Sequence, residues 1–142
     1  MIYLSTPVSR LGREPTVRIA NMALRWCRTN LGVNNRKKYA PIWYVHKGCG
    51  DNVCGEYDDT ENEVHIYWDQ CEDVREIIQT CIHEWTHQLQ PITTKYYKYP
   101  GSYSRNPYER QARYNEKKYT PILWDKIKNK VNGRSNKGPR TC

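Results

Sequence analysis

The sequence predicts an α+β domain: a small antiparallel sheet packed on one strongly amphipathic helix, with further helices at its flanks. Apolar residues recur at helical spacing over 14–31 and 69–90, two-residue alternation and β-branched or aromatic runs mark 41–47, 53–58 and 63–68, and Gly or Pro punctuates the boundaries. A chain of 142 residues is the size of one domain, and it holds no internal repeat and no dividing linker. Residues 1–131 are expected to form that domain and 132–142 a basic, flexible tail.

Along the chain, Val17, Ala20, Leu24, Cys27 and Leu31 share one helical stripe that stops at Gly32. Pro41 to Lys47, PIWYVHK, reads as a strand. Val53 to Asp58 and Glu63 to Trp68 are two more around the turn Asp59-Thr60-Glu61-Asn62, and the simplest arrangement is a three-stranded antiparallel meander. The strongest helix is Asp69 to Gln90, with Asp69 and Glu72 as a capping box and Pro91 as its stop. Val74, Ile77, Ile78, Cys81, Ile82, Trp85 and Leu89 form its buried stripe. A Tyr-rich basic loop follows over 92–105, then Asn106-Pro107 opens a helix, and Pro121 restarts a last one that runs to about Val131.

Composition narrows the function. Apolar residues are 37% and charged residues 27%, with twelve Tyr, five Trp and no Phe, which excludes wholesale disorder. No apolar run approaches the roughly 20 residues of a membrane span, so no membrane partner is expected. The first fifteen residues lack the basic-then-apolar pattern of a secretory leader, and a cytoplasmic or virus-particle location is expected. A net charge of +8 favours contact with nucleic acid through basic patches, with acidic proteins or anionic surfaces as other partners and solubility alone as the plain alternative. Six cysteines allow 15 pairings. Cys49 and Cys54 enclose a short loop that can close as a disulfide or join His46 in a second metal site, but free or paired structural thiols are the stronger expectation.

Chemistry concentrates at His83-Glu84-Trp85-Thr86-His87, an H-E-x-x-H pattern inside the strongest helix. Residues i and i+4 stack on one helix face, so both imidazoles can reach one metal ion, while the Glu beside the first is aimed at a metal-bound water as general base. The apolar stripe lies opposite His83 and His87, which with Glu76, Thr80 and Gln90 form a polar side facing a cleft. A hydrolytic zinc site needs a third protein ligand and an open position. Glu109, at the start of the next helix, is the candidate, and Ala112 one turn on lets that helix lie close. Glu109 is also placed to close a capping box on Asn106. His65 is expected at the surface, and Glu116 and Asp125 are weaker ligand candidates. Tyr103, Tyr108 and Tyr114 lie near Glu109 in sequence and are candidates to stabilise the charge that builds on an attacked carbonyl oxygen.

His83 to His87 followed by Asn106-Pro-Tyr-Glu-Arg-Gln-Ala112 resembles the minimal gluzincin metallopeptidases, of which the SprT-like and ImmA/IrrE-like proteases are the nearest. The resemblance spans about residues 41–116. It implies a zincin-like fold whose edge strand holds an extended peptide substrate by strand addition. By the same resemblance His83, His87 and Glu109 would be Zn2+ ligands and Glu84 the catalytic base of a metalloprotease acting on a protein or peptide substrate. The chain lacks the third His of SprT-like proteins and the helix-turn-helix of ImmA/IrrE-like ones, so the substrate does not carry over. The alternative is a zinc-braced structural or particle-associated protein that binds nucleic acid through Lys95-Tyr96-Tyr97-Lys98-Tyr99 and the basic tail. Against it stands Glu84, for which a purely structural zinc site has no use.

Overall fold

The computed structural model describes residues 1–91, 101 and 105–133. The Tyr-rich stretch over 92–100 and 102–104, and the tail from 134 onward, lie outside the described residues. The fold is α+β, with a three-stranded mixed sheet and four helices among the described residues.

A short helix α1 (Val8–Leu11) turns at Gly12 into α2 (Arg13–Leu31), which buries Ile19, Ala20, Ala23, Leu24 and Cys27 completely or nearly so. This helix is core. Gly32 ends it at φ +84°, a left-handed conformation that costs Gly little, and its carbonyl accepts from Trp85 Nε1 at 2.8 Å and Gln88 Nε2 at 3.2 Å. The end of α2 is thereby tied to α3.

Strands β1 (Ile42–His46), β2 (Gly55–Asp58) and β3 (Glu63–Tyr67) lie in the order β1-β3-β2. The expected antiparallel meander is corrected: β2 and β3 do form an antiparallel hairpin, but β1 runs parallel to β3, with Ile42 opposite Glu63 and His46 opposite Tyr67. The physical reason is burial. Val64 and Ile66 on β3 are fully enclosed, so the most buried strand takes the centre and β1 pairs with its remaining edge.

The long helix begins four residues later than its first capping pattern suggests. Trp68–Gln70 form a single 3-10 turn in which the Asp69 carboxylate accepts from Gly48 N at 2.7 Å. The repeat of the same pattern, Asp73 and Glu76, starts α3 (Val74–Leu89): Asp73 accepts from Glu76 N at 2.9 Å and Glu76 accepts from Glu72 N at 2.7 Å. All seven stripe residues of α3 pack into the core.

The last helix α4 (Pro107–Val131) is continuous over 25 residues, and Pro121 does not restart it. Proline inside a helix costs about 3 kcal/mol. Beyond it Leu123, Ile127 and Val131 are all buried, and three such side chains return about 5 to 9 kcal/mol, which outweighs the lost bond. At its end Asn132 and Ile2 exchange two hydrogen bonds, Ile2 N to Asn132 Oδ1 at 2.7 Å and Asn132 Nδ2 to Ile2 O at 3.3 Å.

Cys27, Cys49, Cys54, Cys71 and Cys81 are free thiols, so the Cys49–Cys54 loop is not closed by a disulfide. Cys54 points its thiol at the Gln70 carbonyl, and His46 turns to the outer face of the sheet. No second metal cluster forms from them among the described residues.

Candidate metal centre

Helix α3 presents His83 and His87 on the side away from its apolar stripe, and that side is covered rather than open: α4 lies across it. Ala112 at the crossing is fully buried and leaves room for the approach. Asn115 Nδ2 donates to Thr86 Oγ1 at 3.1 Å, and that hydroxyl donates to Ile82 O, pinning α4 to α3. His87 is only 5% exposed and Glu109 3% exposed, so these polar groups are sequestered and must satisfy one another.

They do so around a common point. His83 Nε2 lies 3.0 Å from Glu109 Oε1 and His87 Nε2 lies 3.3 Å from Glu109 Oε2. The two imidazole rings meet edge to face with centroids 4.9 Å apart. The three donor atoms fall within 4.8 Å of one another, and the set His83, His87 and Glu109 could hold a metal ion. Donors about 2.1 Å from a tetrahedral ion stand about 3.4 Å from each other, and the two imidazole-to-carboxylate spacings of 3.0 and 3.3 Å fall close to that.

Each imidazole is also held from behind. His83 Nδ1 donates to Glu116 Oε2 at 2.5 Å, and His87 Nδ1 donates to Gln90 Oε1 at 2.8 Å. The Gln90 amide then donates to the Tyr108 carbonyl at 2.9 Å and to Gln111 Oε1 at 2.7 Å. Both rings are thus fixed with Nε2 facing Glu109, the arrangement by which outer partners orient metal-binding histidines. Glu116→Gln is expected to weaken metal affinity about 10- to 100-fold with the fold intact. Competition against a colorimetric chelator measures it; unchanged affinity would leave Glu116 as a mere ion-pair partner.

Glu84 sits between the two histidines in sequence and is 9% exposed. Burial pushes its carboxyl above the ordinary carboxylate value, while the His83 and His87 charges pull it down and Glu109 adds to the rise. For His83 burial acts to lower the pKa, but the carboxylates of Glu109 and Glu116 override it and lift the imidazole to about 10. His87 is raised likewise, chiefly by Glu109 against burial.

A polar cleft of about 240 Å³ opens on this cluster, and Cys54, Gly55, Glu76, Thr80, His83 and Glu84 help line it. Gly55 is the close approach of β2: a Cβ there would stand 2.7 Å from Thr80 Cγ2, 2.8 Å from the His65 carbonyl and 3.3 Å from Glu84 Cγ. A glycine inside a strand signals such an approach, and Gly55 within 53–58 is the sequence sign of it. Glu116, a weaker ligand candidate from the sequence, accepts instead from His83 Nδ1, and Gln90 of the polar face accepts from His87 Nδ1.

The remaining candidates are placed as follows. Tyr114 is 63% exposed with Lys118 near its ring, Tyr108 contributes its backbone carbonyl to Gln90, and Tyr103 lies outside the described residues. Asp125 is at the surface, paired with Lys128 at 3.0 Å. His65 is on the outer face of the sheet, bonded to Glu63 at 3.0 Å and stacked on Tyr44 and His46. No helix among the described residues is long and apolar enough to cross a membrane. Compared with family models, curated proteins and solved structures, the chain matches none.

Proposed function

We propose that this chain is a zinc-dependent metallopeptidase with a zincin-like arrangement, in which His83, His87 and Glu109 hold the metal and Glu84 is the general base. The observation that carries the reading is the convergence of His83, His87 and Glu109 on one point beside a buried Glu84 and an open cleft. Two histidines and a carboxylate with a free position suit a hydrolytic zinc better than a structural one, which fills all four places.

Zinc held there would supply Lewis acidity, polarising a carbonyl and acidifying water in the cleft. The residues of the chain do the rest. Glu84 accepts the proton of the attacking water on its carboxylate and, with its pKa raised by burial, retains it long enough to pass it to the departing amine. Glu116 and Gln90 keep both Nε2 atoms on station through the reaction. Strand β2 is an edge strand, so an extended peptide can add along its outer side and cross the cleft beside Gly55, where no side chain intrudes. A polar cleft of about 240 Å³ at a strand edge suits a main chain rather than a buried small molecule, which commonly needs roughly 300 Å³ or more.

Elemental analysis of the purified chain together with cleavage of a peptide library tests the reading. One zinc per chain and metal-dependent cleavage are expected. Zinc without cleavage of any peptide would move the protein to the zinc-braced structural reading, and no zinc would end both.

A further inference from the structure

A second recess shares no lining residue with the cleft at His83 and Glu84. It is a groove of about 640 Å³ between α2 and the last turns of α4. Arg18, Met22, Arg25 and Thr29 recur at intervals of three and four along one side of α2, and Lys126, Ile127 and Lys130 supply the other wall. Met22 and Ile127 are buried at its floor, with the half-buried Trp26 beside them, and the cations stand at its lips.

Among the described residues its lining holds four cations and no carboxylate. Arg18 is partly engaged, its Nη2 donating to the Lys130 and Val131 carbonyls at 3.0 and 3.1 Å. Arg25, Lys126 and Lys130 are exposed and make no ion pair among the described residues. The nearby acid on α4, Asp125, is already paired with Lys128. Unpaired like charges facing one another across a groove repel, so the arrangement is stabilised by an anion between them. From Arg18 to Thr29 the wall is about 16 Å long at 1.5 Å per residue, roughly five phosphates at the 3.4 Å spacing of a stacked strand. Trp26 is among the lining residues, half-buried and tilted against Tyr119 with ring centroids 5.9 Å apart, and an aromatic ring beside cations is the other half of a single-strand site. The cations line a recess rather than a convex ridge, which admits one strand and holds a duplex off.

We infer that the groove between α2 and the end of α4 binds single-stranded nucleic acid, phosphates on Arg25, Lys126 and Lys130 and a base against Trp26. The inference does not rest on the peptidase reading. The sequence itself continues from Gly133 with Arg134, Lys137 and Arg140 and no acid.

The test is fluorescence anisotropy of the full chain with a labelled ten-nucleotide oligothymidylate across a salt series. Three phosphate contacts predict that log K falls with log salt at a slope of about −2. Arg25→Glu with Lys126→Glu is expected to weaken binding by about tenfold or more and to flatten that slope, with the thermal unfolding of the protein unchanged. Lys38→Glu with Lys47→Glu, exposed cations outside the groove, changes net charge by the same amount and is expected to cost far less. Equal losses in the two pairs would reduce the effect to net charge and overturn the site. So would no binding by the unaltered chain, equal affinity for a duplex of the same length, or displacement of the oligonucleotide by polyglutamate at matched charge.

Discussion

If the proposed peptidase reading holds, Glu84→Gln is expected to retain one zinc per chain and to lower peptide cleavage by about a thousandfold, within the 10²- to 10⁴-fold range that a positioned general base contributes. The amide keeps the shape of the carboxylate and its place at the cleft wall, where Glu84 Cγ lies in reach of Gly55, so packing is preserved. It cannot take a proton. The donors on His83, His87 and Glu109 are untouched, which is why metal content and cleavage separate in this variant. Elemental analysis and kcat/KM on the same sample decide it. Loss of zinc would show Glu84 supporting the donor set, and near-normal cleavage would pass the base role to another carboxylate of the cleft, Glu76 or Glu116.

The second large effect is on stability. Zinc at a hundred times its dissociation constant adds about 2.7 kcal/mol to the folded state. For a domain of this size that is a rise in Tm of about 10 °C. Glu109→Ala is expected to abolish the rise, since two imidazoles alone would leave the donor set incomplete. The shift also depends on pH. His83 and His87 both have pKa values raised in the metal-free site, His83 to about 10, so each stabilises that state most below its ordinary value of 6.5 and loses the contribution as pH climbs through the folded value. Zinc must displace those protons. The zinc-induced rise is therefore smaller at pH 6 than at pH 8.5, and differential scanning fluorimetry at the two pH values measures it. A rise that survives in Glu109→Ala would remove Glu109 from the donor set.

Much of the architecture was legible because its elements are local. The stripe of α2 and the seven apolar positions of α3 declare themselves at a period of 3.6, and Gly32 and Pro91 close them. Long-range choices were not. The place of β1 beside β3 depends on which strand is buried on both edges, a property of the assembled sheet that alternation along one strand does not encode. The start of α3 was ambiguous because the Asp-x-x-Glu pattern occurs twice in succession, and the choice fell to Asp73 once Asp69 was committed to Gly48 N. Pro121 misled for the opposite reason: a strong local rule lost to apolar burial one and two turns further on.

The metal cluster was legible in part. The i, i+4 geometry of His83 and His87 is a property of any helix. That Glu109 would meet both of them required α4 to cross at Ala112, and only its small side chain hinted at this. The supporting partners were harder to see, because Glu116 and Gln90 acquire their roles from the side of the ring they face, which a spacing rule leaves open.

The paired hydrogen bonds between Ile2 and Asn132 give the fold the topology of a clasped ring, in which the two ends of the described polypeptide meet at a shared buckle. The helix released if that buckle opens is the one that carries Glu109 and Glu116 at its front and Lys126 and Lys130 at its rear. A tag fused ahead of residue 1 is therefore mechanically an alteration to the far end of α4, and preparations that differ only in such a tag report on the seating of that helix as much as on the leader itself.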